Sequence, residues 1–103
     1  MKVIFSKYAR QELDDAIQYY EIEYQGLGKR FRDEVRKAAK RISKYPAAWS
    51  LERCEVRKCI LHKFPYKLLY SIESNHVFII AGEDLLRVNG KMVLRPRNVT
   101  TFL

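Results

Sequence analysis

Apolar residues in the first half of the chain recur at spacings of three and four. Ala9, Leu13, Ala16, Ile17, Tyr20 and Tyr24 form one such series, behind Ser6, a residue suited to capping a helix. Asp14, Asp15, Glu21 and Glu23 fall mostly off that stripe, so the segment reads as an amphipathic helix of about five turns. Gln25-Gly26-Leu27-Gly28 then breaks the pattern, because two close glycines supply the backbone freedom that ends a helix and turns the chain. A second stripe follows at Leu27, Phe31, Val35, Ala38 and Ile42. Two helices joined by so short a loop lie antiparallel. Pro46 ends the second, and Trp49, the single tryptophan, is placed to plug the end of the core.

The period changes to two elsewhere. Residues 2–5 read as a short strand, 55–64 and 66–73 as two further strands hinged at Phe64-Pro65-Tyr66, and 76–81 as a fourth after a Ser74-Asn75 turn. On the middle strand Tyr66, Leu68, Tyr70 and Ile72 share one face, and Lys67, Leu69, Ser71 and Glu73 the other. The order β-α-α-β-β-β predicts an α+β fold, an N-terminal strand and an antiparallel helical hairpin packed on an antiparallel sheet. Beyond Ala81, Asn89-Gly90 is a strong hairpin signal and residues 96–103 read as a loose tail. With neither linker nor repeat, residues 1–103 are expected to form a single domain.

Charge narrows the function classes. Twenty Lys and Arg against twelve Asp and Glu leave a net charge of +8, which favours an acidic partner, whether nucleic acid or protein. Eight of the cations (Lys29, Arg30, Arg32, Arg36, Lys37, Lys40, Arg41 and Lys44) sit on the second helix, opposed on its exposed face by Asp33 and Glu34. That face is either a polyanion-binding stripe or a solvated helix surface. No apolar run approaches a membrane span and no signal peptide is recognisable, so a cytoplasmic protein that does not enter membranes is expected.

Little in the chain points to cofactor chemistry. Cys54 and Cys59 are a poor disulfide pair, and with His62 and His76 they form no ligand spacing, so neither metal nor cofactor is expected. Gly26-Leu27-Gly28 lacks the third glycine and preceding strand of a phosphate loop, and Asp14 and Asp15 diverge on a helix. What remains is a set of cations on the sheet (Arg53, Arg57, Lys58, Lys63 and Lys67) interleaved with Tyr66 and Tyr70. Such residues can hold phosphates and stack on bases, or grip an acidic segment of another protein. Arg53, Arg57, Lys63, Tyr66 and Tyr70 are therefore the candidate target- or partner-binding residues. A second copy of the chain is another way to cover a sheet edge or helix face.

Several of these stretches carry a family resemblance. Ser-Lys-Tyr-Ala-Arg-Gln-Glu-Leu at 6–13, Tyr19-Tyr20, Gly26-Leu27-Gly28-Lys29-Arg30-Phe31, Pro46-Ala47-Ala48-Trp49 and above all Arg57 to Tyr70 resemble the ParE/RelE toxin superfamily, in its ParE-like, plasmid-stabilisation branch. The resemblance covers residues 3–81, and 82–103 depart from the family's wording. It implies the toxin of a type II toxin-antitoxin module, neutralised by a cognate antitoxin. ParE-type relatives inhibit DNA gyrase without a catalytic constellation, whereas RelE-type relatives cleave mRNA on the ribosome. The resemblance implies catalytic roles for Lys58, Lys67 and Arg87 only under the RelE reading; Ile60 stands where a second strand cation is expected, and no tyrosine follows Tyr70. Whether the chain is an enzyme stays open between these, and an inactivated relative kept as a binding module is the third reading.

Overall fold

The computed structural model describes residues 1–88 and 91–94, with side chains through residue 83. The chain runs β1 (Lys2–Phe5), α1 (Lys7–Glu23), α2 (Leu27–Lys44), a 3₁₀ turn (Pro46–Ala48), β2 (Leu51–Arg53), β3 (Val56–Ile60), β4 (Tyr66–Ile72), β5 (His76–Val88) and β6 (Lys91–Leu94). The sheet order is β1-β5-β4-β3-β2, with β6 paired to β5. Each of these pairs is antiparallel except β1 with β5, which is parallel because the whole helical hairpin separates β1 from the sheet. The fold is thus the expected α+β arrangement, a helical hairpin packed on one face of a sheet.

Ser6 joins the two layers. Its hydroxyl accepts the Ala9 amide at 2.9 Å, capping α1, and donates to the Ile80 carbonyl at 2.8 Å, fixing the helix start against β5. The α1–α2 turn is closed differently. Gly26, at φ 86°, begins α2 with no side chain to cap it. Glu21 of α1 supplies the cap instead, accepting the Gly26 amide at 2.9 Å and the Gly28 amide at 3.1 Å. Gly28 is required by close approach, since a Cβ there would lie 2.6 Å from the Ile17 carbonyl oxygen.

Phe31 is the hub between the layers. Its ring centroid lies 4.8 Å from Tyr20, 5.2 Å from Phe64 and 4.8 Å from Tyr66, joining both helices to the β3–β4 connection. The Phe64-Pro65-Tyr66 hinge is therefore a core element. Its tyrosine seats over Gly82, whose missing side chain leaves room for the phenol.

The strands differ from the periodicity in three places. β3 ends at Ile60: Leu61 keeps the inward alternation and donates its amide to the Tyr66 carbonyl at 2.9 Å, and residues 62–65 then form the bend that leads into β4. β5 runs past Ala81 to Val88. β2 is a strand that the pattern missed, three residues long and followed by Cys54 in a left-handed conformation at φ 48°. On α1, Tyr24 is exposed because it lies one residue past the helix end, outside the stripe. Trp49 packs partly buried against the core. The Asn89-Gly90 turn and the tail at 96–103 lie outside the described residues, although Val88 pairs with Lys91 on either side of the former.

Candidate functional site

Register divides the sheet's side chains into two sets. Cys59 pairs with Leu68 and Arg57 with Tyr70, so these face the helices; Lys58 pairs with Leu69 and Ile60 with Lys67, so these face outward. On β5, Glu83 pairs with Lys67 and Ala81 with Leu69 on the same outer face.

That division removes two of the expected contact residues from the surface. Tyr66 and Tyr70 are 1% and 0% exposed, so neither ring can stack on a base or meet a partner. Both belong to the core, as the alternation with Lys67 requires once the helices cover their face. Tyr70 donates its hydroxyl to the Pro46 carbonyl at 2.6 Å, and burial pushes its phenol up to about 12. Arg57 also points inward, and its Nη1 donates to the Trp49 carbonyl at 2.6 Å and the Ala47 carbonyl at 3.4 Å. Together Arg57, which stays partly exposed, and Tyr70 tie the 3₁₀ turn to the sheet as a structural clamp.

Arg53 is exposed on edge strand β2. Lys63 is exposed in the β3–β4 connection, 3.9 Å from Glu34. Glu34 itself is buried at 6% exposure, between Lys63 and Lys37, so it belongs to the join of α2 with the connection and not to the exposed helix face. Arg87 lies in β5 opposite Met92. These positions are not brought to one site.

Lys58 and Lys67 do converge, on an acid that sequence reasoning missed. Glu52 of β2 places Oε1 3.7 Å from Lys58 Nζ and Oε2 3.2 Å from Lys67 Nζ, the latter a hydrogen bond. The Lys67 side chain is only 11% exposed and lies 3.7 Å from Glu83 on its other side. Four adjacent strands thus contribute one charge each, the lysines Lys58 and Lys67 flanked by the acids Glu52 and Glu83, to one outer-face cluster that is neutral in sum. The hydrogen bond from Lys67, aided by its charge and that of Lys58, holds the Glu52 carboxyl below the usual carboxylate range against the upward push of desolvation. The sequence signal for Glu52 was faint: it sits in a three-residue strand of mixed character, and only the hairpin through Cys54 and Glu55 brings it beside β3.

The outer face is otherwise partly apolar. Ile60 is 55% exposed and Ile4 38%, and Leu69 and Phe78 lie between them in the register. Cys59 is buried, and burial pushes its thiol up, away from nucleophilic use. Among the described residues, no group of three or more His, Cys, Asp and Glu is arranged to hold a metal ion, and no helix is long and apolar enough to cross a membrane.

Residues 3–81 match the family model of the ParE toxin of type II toxin-antitoxin systems, parDE. In structure the chain is similar to a protein solved as the chromosomal ParDE TA system from P. aeruginosa, with a TM-score of 0.70 over 79% of this chain and 91% of that one, at 14% identity. No curated protein matches it in sequence. At that identity the structural likeness speaks for the fold, and the family match, which spans most of the chain, speaks for descent. The chain belongs to the ParE toxin family of type II toxin-antitoxin systems.

Proposed function

We propose that this chain is a toxin neutralised by a cognate antitoxin, and that it acts by protein-protein contact on DNA gyrase without catalysing a reaction. One observation carries the second half. The two lysines that a ribosome-dependent RNA endonuclease would use to hold and neutralise a scissile phosphate share the Glu52 carboxylate, with Glu83 behind Lys67. A carboxylate in that position repels a phosphate and leaves the transition-state charge unsupported. Ile60, on the same face, adds no cation. A neutral cluster among exposed apolar residues suits a protein partner better than a polyanion.

The test compares two assays on the purified chain. DNA supercoiling by gyrase should be inhibited and restored by the product of the neighbouring reading frame, which should also co-purify with the chain. Messenger RNA on programmed ribosomes should stay intact. Cleavage there, lost in Lys67→Ala, would replace the gyrase reading with the nuclease one. Antitoxin binding with no effect on either target or on growth would mark a binding module that has lost its toxicity.

A further inference from the structure

The Glu52 contact has the form of a ligand complex. A carboxylate and a phosphodiester are both monoanions that present two oxygens sharing the charge. Here one oxygen faces Lys58 Nζ at 3.7 Å and the other Lys67 Nζ at 3.2 Å, from two neighbouring strands. Oε1 is buried and accepts no hydrogen bond among the described residues, so Lys58 meets it as an ion pair alone. The geometry points to Glu52 as a specificity-determining residue: it occupies the anion position of a Lys58–Lys67 site and closes that site to the phosphodiester backbone of single-stranded RNA.

Tethering explains why the closure holds. Glu52 is built into β2, which pairs with β3, so its carboxylate competes at an effective concentration on the order of millimolar or above. A backbone phosphate at micromolar concentration does not displace it. The Lys67 side chain is 11% exposed, so removing the Glu52 charge leaves its ammonium with Glu83, at 3.7 Å, and room for a second anion. This deepens the reading of the chain as a toxin that does not act on RNA, and rests on it.

The experiment measures binding of the full chain to a labelled single-stranded RNA oligonucleotide by fluorescence anisotropy, at about 150 mM salt so that diffuse attraction is screened. Glu52→Gln should bind about tenfold or more tightly than the unaltered chain, since one repulsive charge becomes neutral and two phosphate-binding cations are released. E52Q/E83Q should bind more tightly still. Glu23→Gln, which makes the same charge change at the exposed end of α1, should not. E52Q/K58Q/K67Q should return to the unaltered level, whereas E52Q/K2Q/K7Q, with equal net charge, should keep the gain.

An E52Q variant no tighter than E23Q, or a gain that survives loss of both lysines, overturns the inference. If E52Q fails to fold by thermal melting, Glu52→Asp decides, because it keeps the charge and withdraws it from Lys67: tighter RNA binding supports the inference and unchanged binding overturns it. The outcome separates cleanly from the gyrase assay. Failure to inhibit gyrase with an RNA gain in E52Q removes only the target, and gyrase inhibition without the gain removes only the role of Glu52.

Discussion

At the scale of single residues, the most constrained position is Gly82. A Cβ placed there would stand 2.1 Å from the Tyr66 hydroxyl oxygen and 2.7 Å from the ring carbon that carries it. The tyrosine cannot swing away, being 1% exposed and packed edge-on to Phe31. Gly82→Ala should therefore lower stability by about 1–3 kcal/mol, the usual cost of overpacking, read as a fall in the urea midpoint at constant slope. An unchanged midpoint would mean that the tyrosine has another place to go. Tyr70 offers a second test. Tyr70→Phe removes the hydrogen bond to the Pro46 carbonyl and should cost about 1 kcal/mol at neutral pH. Because the fold raises this phenol's pKa from 10.0 to about 12, it favours the neutral form. That contribution is complete below pH 10 and is lost as pH rises through 12, so the gap between the two proteins should narrow between those values. A gap that is constant with pH would show that the phenol is not sequestered as described.

At the scale of elements, much was legible because a single period ran through each long segment. The stripe from Ala9 to Tyr20 and the stripe from Leu27 to Ile42 are both buried, and the alternation along β4 sorts its side chains correctly. The same alternation held the information that Tyr66 and Tyr70 are core residues, since aromatic rings on the face opposite Lys67 and Ser71 must meet the helices. What could not be read was short or long-range. β2 has three residues and no period to detect, and its acid acquires meaning only from lysines on two other strands. Glu34 resembles any exposed helix acid until the β3–β4 connection folds over it with Lys63. The Glu21 cap is a similar case, since α2 begins on a glycine with nothing of its own to offer. Its carboxylate satisfies two amides at the positive end of α2, and Glu21→Ala should cost about 1 kcal/mol in thermal or urea unfolding. Glu21→Gln should recover part of that by keeping an acceptor while losing the charge, and equal losses in both variants would count against the charge–dipole share.

At the scale of the whole molecule, charge is distributed unevenly. The second helix holds eight cations against Asp33 and Glu34, which gives it +6 of the chain's net +8, while the charge cluster on the outer sheet face sums to zero. Lys29 is paired with Asp33 at 3.7 Å and Lys37 with Glu34 at 3.3 Å, which leaves Arg30, Arg36, Lys40 and Lys44 exposed along the helix. Such a helix speeds the approach of an acidic partner, and exposed charges of this kind contribute to encounter more than to the final hold. The proposed antitoxin complex should then show a specific salt signature. Raising salt from about 50 to about 300 mM should slow association by about tenfold and change dissociation by less than about twofold, because screening weakens long-range steering and leaves contacts already made largely intact. Stopped-flow mixing of toxin with antitoxin measures both rates. R36E/K40E/K44E should flatten the association curve with the outer sheet face untouched. Salt-dependent dissociation with constant association would instead place these cations inside the complex, paired and desolvated, and would make α2 part of the grip itself.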